Sequence, residues 1–234
     1  MLVGYHSPMS EMQIPYLIIS ILAFVPAIVL HEMGHAYAAY KLGDPTAQRQ
    51  GRLSFNPLRH IDPFGTVLLP IMLAALNMPV FGYAKPVPYN PRYFEDPRKG
   101  DLIVGLAGPA ANLLQALVGT LIAFIAYTAS PTITLSGNPV LYYVMLFLMY
   151  YVQINLFLMF FNLIPVPPLD GSSIFAFILP EKYLPVYYKI QQYALPVLMI
   201  IIIVLPYAFG INPFSWFLNA TAGNVFNLLF SFMR

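Results

Sequence analysis

Residues 14–42 read IPYLIISILAFVPAIVLHEMGHAYAAYKL. The run is apolar from Ile14 to Leu30, then polar-faced from His31, and stops at Gly43-Asp44-Pro45. A span needs about 20 mostly apolar residues, so this is a membrane helix that carries a polar cluster in one half. Within it, His31-Glu32-Met33-Gly34-His35 has the pattern HExxH. On a helix His31 and His35 stand at i and i+4, one above the other on one face. Two imidazoles at that spacing can share one tetrahedral Zn²⁺. Glu32 projects about a quarter-turn away, where it can act on water without ligating the metal. A chance match has to be weighed, but ionisable groups inside a span are costly and functional by default. They could equally serve as a proton relay, so metal binding needs a further ligand to decide it.

Composition supports the membrane setting. Of 234 residues, 59% are apolar and 9% charged, against roughly 25% charged in soluble domains. That excludes intrinsic disorder. The balance of 11 Lys+Arg and 9 Asp+Glu supplies no basic field for nucleic acid. The absence of Cys rules out thiolate metal sites and cysteine nucleophiles. No basic region precedes the first span, so it does not read as a cleavable signal.

Outward from that helix, long apolar runs cover 102–127, 140–164, 186–209 and 214–232. The last is interrupted by Asn219, Gly223, Asn224 and Asn227. Residues 64–81 are long enough to cross but hold Gly65, Pro70, Asn77 and Pro79. Lys41, Arg49, Arg52 and Arg59 precede that stretch, and Lys85, Arg92, Arg98 and Lys99 follow it, whereas 129–139 carries no charge. Basic short loops stay in the cytoplasm. Residues 64–81 therefore read as re-entrant, entering and leaving on the cytoplasmic side, and 129–139 as external. Residues 83–101 read as an extended Pro-rich loop.

The outstanding remaining acid is Asp170, in Asn162-Leu163-Ile164-Pro165-Val166-Pro167-Pro168-Leu169-Asp170-Gly171. The prolines end a helix and Asp-Gly makes a turn, so its carboxylate can bend inward. An ordinary turn aspartate is the plain alternative. With 64–81 re-entrant, the next two helices run outward and inward, and Asp170 returns to the side of His31 and His35. Had 64–81 crossed, Asp170 would lie roughly 30 Å away.

His31-Glu32-x-x-His35, Gly108-Pro109-Ala110-Ala111-Asn112 and Asn162-x-x-Pro165-x-Pro167-x-x-Asp170-Gly171, in that order, resemble the site-2 protease family of intramembrane zinc metalloproteases. The segment Phe81-Gly82-Tyr83-Ala84-Lys85-Pro86-Val87-Pro88, with Asn90-Pro91, resembles the short prokaryotic members. The resemblance covers about residues 14–180. It implies one Zn²⁺ per chain held by His31, His35 and Asp170, with Glu32 as general base and proton shuttle and a fourth position for water. At this length the sequence reads as leaving no room for a PDZ or CBS domain.

Such a protease must hold its substrate extended, because a helical span hides its carbonyls in its own hydrogen bonds. Residues 46–55 read as a short membrane-edge strand or hairpin to which substrate adds. Asn162 and Asn112 are candidate substrate-binding residues, against helix-end and interhelical hydrogen bonding respectively. Gly108 and Ala111 allow close helix packing. His60 reads as a surface histidine, and His6 as a feature of the N-terminus.

The expected architecture is one all-α polytopic membrane domain over 1–234. It has about five to six transmembrane helices: 14–42, 102–127, 140–171 with the Asp-Gly motif, 186–209 and 214–232. Residues 46–100 hold the hairpin, re-entrant segment and Pro-rich loop. The expected function is endopeptidase cleavage of transmembrane or membrane-adjacent protein segments near the cytoplasmic face of the cell membrane. A metal-ion or proton transporter using the same ligands is the rival. It would want ionisable residues through both leaflets, and the outer half offers almost none.

Overall fold

The computed structural model describes residues 13–69, 72, 84–129 and 139–233. Its core is three mutually packed helices: α1 (Gln13–Lys41), α2 (Pro97–Ala129) and α3 (Pro139–Asn162). On α1 the buried positions Ile19, Ala23, Ala27, His31, His35 and Ala39 fall in one row of spacing four. Alanines along this row, and Gly34 beside it, let α2 approach; a Cβ on Gly34 would stand 2.7 Å from the Ala107 carbonyl oxygen. Close approach through small residues is how helices associate where lipid removes the hydrophobic driving force. The outward faces carry exposed Leu114, Leu121, Ile125 and Val144, as a lipid-facing surface should.

Downstream lie α4 (Gly171–Ile178), α5 (Leu184–Gln191), α6 (194–209) and α7 (213–229). Ala222 of α7 and Phe230, just past its end, pack into a cluster with Ala116, Leu148, Val152 and Leu156.

Three of these helices are long and apolar enough to cross a membrane, among the described residues: 18–41, 97–129 and 139–162. A fourth crossing is available only if two pieces within 181–209, bent by 56°, count as one. The expected five to six spans are therefore not confirmed by the helices among the described residues. In α7 the turn Asn219–Gly223 widens to a π-type turn, and its Asn, Thr and Gly residues dilute the apolar run. α2 begins at Pro97, five residues before the apolar run. Asp96 Oδ1 accepts from the amides of Arg98 at 3.0 Å and Lys99 at 3.1 Å, with proline at the favoured first helical position. α3 ends at Asn162, and Asp170 belongs to the start of α4 rather than to α3.

No strand occurs among the described residues, and the expected hairpin over 46–55 is absent. Thr46–Arg49 is instead a single helical turn. Fully buried Asp44 takes the Thr46 amide at 2.9 Å and its hydroxyl on one carboxylate oxygen, and the Asn90 amide at 2.6 Å on the other. Such side-chain-to-backbone hydrogen bonds compete directly with strand formation. Gly51, at φ +67°, then turns the chain. His60 is buried rather than at the surface: its Nε2–H donates to the Ser54 carbonyl at 2.8 Å.

The chain leaves α1 and enters α2 at the same end, where Ala39, Phe94 and Val104 pack with Leu42. Most of the proposed re-entrant stretch 64–81, most of the connector 129–139, and His6 lie outside the described residues.

Candidate active site

α1 delivers His31 and His35 to the interface with α2, and the turn after α3 delivers Asp170. His31 Nε2 lies 3.3 Å from Asp170 Oδ2, and His35 Nε2 lies 3.4 Å from Asp170 Oδ1. The two Nε2 atoms are 3.1 Å apart. The outer ring nitrogens are engaged elsewhere. His31 Nδ1–H donates to Asn112 Oδ1 at 2.6 Å, and His35 Nδ1–H to the Val104 carbonyl at 2.7 Å. These bonds fix the tautomer and leave the Nε2 lone pairs facing inward.

This donor set fits zinc. Four ligands at about 2.0–2.1 Å in a tetrahedron stand about 3.3 Å from one another, and the three separations are 3.1, 3.3 and 3.4 Å. Asp170 Oδ2 is buried without a hydrogen-bond partner. Three lone-pair atoms converging in a buried place call for a cation.

Gly108 makes room for this arrangement. A Cβ there would overlap His35 Nε2 and stand 2.6 Å from His31 Cε1. Behind it runs a buried polar network. Asn112 Nδ2 donates to Asn155 Oδ1 at 2.8 Å and to the Ala27 carbonyl at 3.3 Å. Gln115 reaches the same carbonyl at 3.4 Å and accepts from the Tyr151 hydroxyl at 2.7 Å. Asn155, Gln115 and Tyr151 escape a reading of the sequence by motif. Their polarity inside apolar spans is the signal that could have found them.

The three convergent residues open into a cleft of about 840 Å³, also lined by Glu32, Asn162, Val87 and Tyr188. Asn162 turns its amide back onto the Leu158 carbonyl at 3.0 Å. Asn112 is fully enclosed, and its amide is committed to protein partners on both sides. One wall is the segment 84–90, which is neither helix nor strand. It is held by the Arg52 guanidinium, which donates to the carbonyls of Arg59, Lys85 and Pro86. Burial pulls the Arg52 guanidinium below its ordinary pKa, and the charge of Glu32 opposes that shift.

Residues 125–205, which include Asp170, match the family model described as Peptidase family M50. The candidate zinc metalloprotease YwhC of Bacillus subtilis is 40% identical over 173 residues, 74% of this chain and 72% of that protein. The chain belongs to peptidase family M50. It is a metalloendopeptidase of a zinc-dependent family, in a multi-pass membrane setting. The candidate zinc metalloprotease Rip2 of Mycolicibacterium smegmatis is 32% identical over 156 residues, 66% of this chain and 54% of that protein. Zinc metalloprotease MJ0392 of Methanocaldococcus jannaschii is 30% identical over 166 residues, 71% of this chain and 35% of that protein. The chain thus spans about half of the mycobacterial relative and a third of the archaeal one. No solved structure matches the chain at a significant level.

Proposed function

We propose that this M50 protein cleaves transmembrane or membrane-adjacent segments of other proteins near the cytoplasmic face of the cell membrane, as a step of regulated proteolysis. In this reading His31, His35 and Asp170 hold the zinc and Glu32 is the catalytic residue. The observation that carries it is the triangle of ligand atoms at 3.1–3.4 Å, opening into the cleft beside Glu32.

When bound, zinc supplies Lewis acidity, polarising oxygen and acidifying water. Asn112 and the Val104 carbonyl hold the imidazoles so that both Nε2 atoms stay aimed at the centre. The Glu32 carboxylate takes the proton from the attacking water and passes it to the leaving amine nitrogen. An extended substrate runs along the wall formed by 84–90, with Asn162 beside it as a candidate contact. Asn112 serves through His31 rather than by touching substrate. The cytoplasmic placement rests on the basic residues that flank this end of α1 and α2.

The test uses purified protein reconstituted with a panel of single-span substrates. Glu32→Gln should lose about 10²–10⁴-fold in rate while zinc content stays at about one per chain. Cleavage by Glu32→Gln at the wild-type rate would refute the mechanism. Elemental analysis of Asp170→Ala should show weakened or lost zinc; full retention would place the third ligand elsewhere.

A further inference from the structure

Asp170 occupies the N-cap position of α4, yet its carboxylate makes no cap hydrogen bond. It is turned to the histidines instead. Its placement therefore depends on where the backbone of α4 sits. α4 has only eight residues, too few to be stable without tertiary support, so something else must fix it.

At the far end of α4 stands Arg98, from the first turn of α2. One guanidinium nitrogen of Arg98 donates to the carbonyls of Ala176 at 3.0 Å, Phe177 at 2.8 Å and Leu179 at 2.7 Å. A second lies 3.5 Å from Glu181 Oε1. The last carbonyls of a helix lack intrahelical partners, and a cation there also complements the helix dipole. The Glu181 side chain is 83% exposed, so that ion pair adds little, and the carbonyl contacts are the substance of the clamp.

The same α2 also holds the histidines. Val104 takes His35, Asn112 takes His31, and Gly105 lies against Ser173 and the Asp170 carbonyl. One helix therefore references all three convergent residues: two through hydrogen bonds to their rings, the third through Arg98 and α4.

We propose that Arg98 is a positioning residue for the metal centre: it clamps the C-terminal carbonyls of α4 to the start of α2 and so holds Asp170 in register with His31 and His35. This rests on the reading of Asp170 as a ligand.

The experiment uses the full chain in detergent with two readouts. One is the rate of zinc release to a chelator. The other is the visible absorption of the Co²⁺-substituted protein, which reports ligand geometry. In Arg98→Ala, zinc should leave at least about tenfold faster, the lower end of what losing a supporting partner costs, with a shifted Co²⁺ band and unchanged helix content by circular dichroism. Arg98→Lys, which keeps the charge but not the fork, should recover part of both. Glu181→Gln should behave as wild type.

Wild-type zinc release and Co²⁺ spectrum in Arg98→Ala would overturn the proposal, even if its melting temperature fell. Should Arg98→Ala fail to accumulate, Arg98→Gln takes its place: faster release with a shifted band supports the clamp, and wild-type behaviour overturns it. Asp170→Ala is run alongside. If it releases zinc at the wild-type rate, the ligand reading has failed rather than the clamp.

Discussion

A Cβ placed on Gly108 would stand 2.6 Å from His31 Cε1 and overlap His35 Nε2. Neither ring can retreat without breaking its Nδ1 hydrogen bond, to Asn112 or to the Val104 carbonyl. Gly108→Ala should therefore drop zinc content below half of wild type, by elemental analysis, while helix content by circular dichroism is kept. Full zinc occupancy in that variant would show that the rings have another resting place. Asn112→Ala tests the neighbouring contact. Removing the acceptor for His31 Nδ1–H should weaken zinc binding about 10–100-fold, read by competition with a chelator. A substrate-contact role for Asn112 would instead leave zinc affinity at wild type and raise KM. At this scale the convergence of His31, His35 and Asp170 at the candidate site is legible in the sequence. His31, Glu32, His35 and Asp170 announce themselves because ionisable groups in an apolar chain are costly. The Val104 carbonyl and the clamp by Arg98 are not legible, because main-chain acceptors leave no mark in a sequence and Arg98 looks like any cytoplasmic charge.

Among the elements, the segment 46–60 departs most from its sequence reading. Mixed polarity around Gly51 suggests a strand; the chain instead forms a helical turn, and buried Asp44, just before it, holds the Thr46 amide. Arg52 then spends its guanidinium on three carbonyls, of Arg59, Lys85 and Pro86, that a free edge would have offered to a partner. With Lys85 N donating to the His60 carbonyl at 2.9 Å, this ties two loops into one support for the cleft wall. Hydrogen bonds to a charged group contribute about 1.5–3 kcal/mol, so Arg52→Ala should destabilise by about that amount. Faster amide hydrogen exchange should appear in 52–60 and 84–90, with α3 unaffected. Unchanged exchange in both loops would mean the wall is held by packing of Val87 against Ala36 and Ala47. Composition could not show this lock, since a buried arginine and a solvated one are the same letter.

For the whole molecule, the three-helix core is readable from run length and from the spacing of small residues along α1. The bent 181–209 region and α7 are not, because prolines and a π-type turn interrupt apolar runs that length alone would count as spans. The proposed cytoplasmic placement of the site rests on charge alone. Lys41, Arg49, Arg52, Arg59, Arg92, Arg98 and Lys99 gather where α1 ends and α2 begins, and positive loops are retained inside. Gln48 is exposed at that end, and Thr128 is exposed at the opposite end of α2. The chain has no cysteine, so single cysteines can be read without background. A membrane-impermeant maleimide applied to intact cells should label Thr128→Cys and not Gln48→Cys. After permeabilisation Gln48→Cys should label as well. The reverse pattern would put the cleft on the outer face, and with it the bond that is cut. Labelling of both in intact cells would mean that the two ends of α2 are not separated by a bilayer, and the intramembrane reading would go with it.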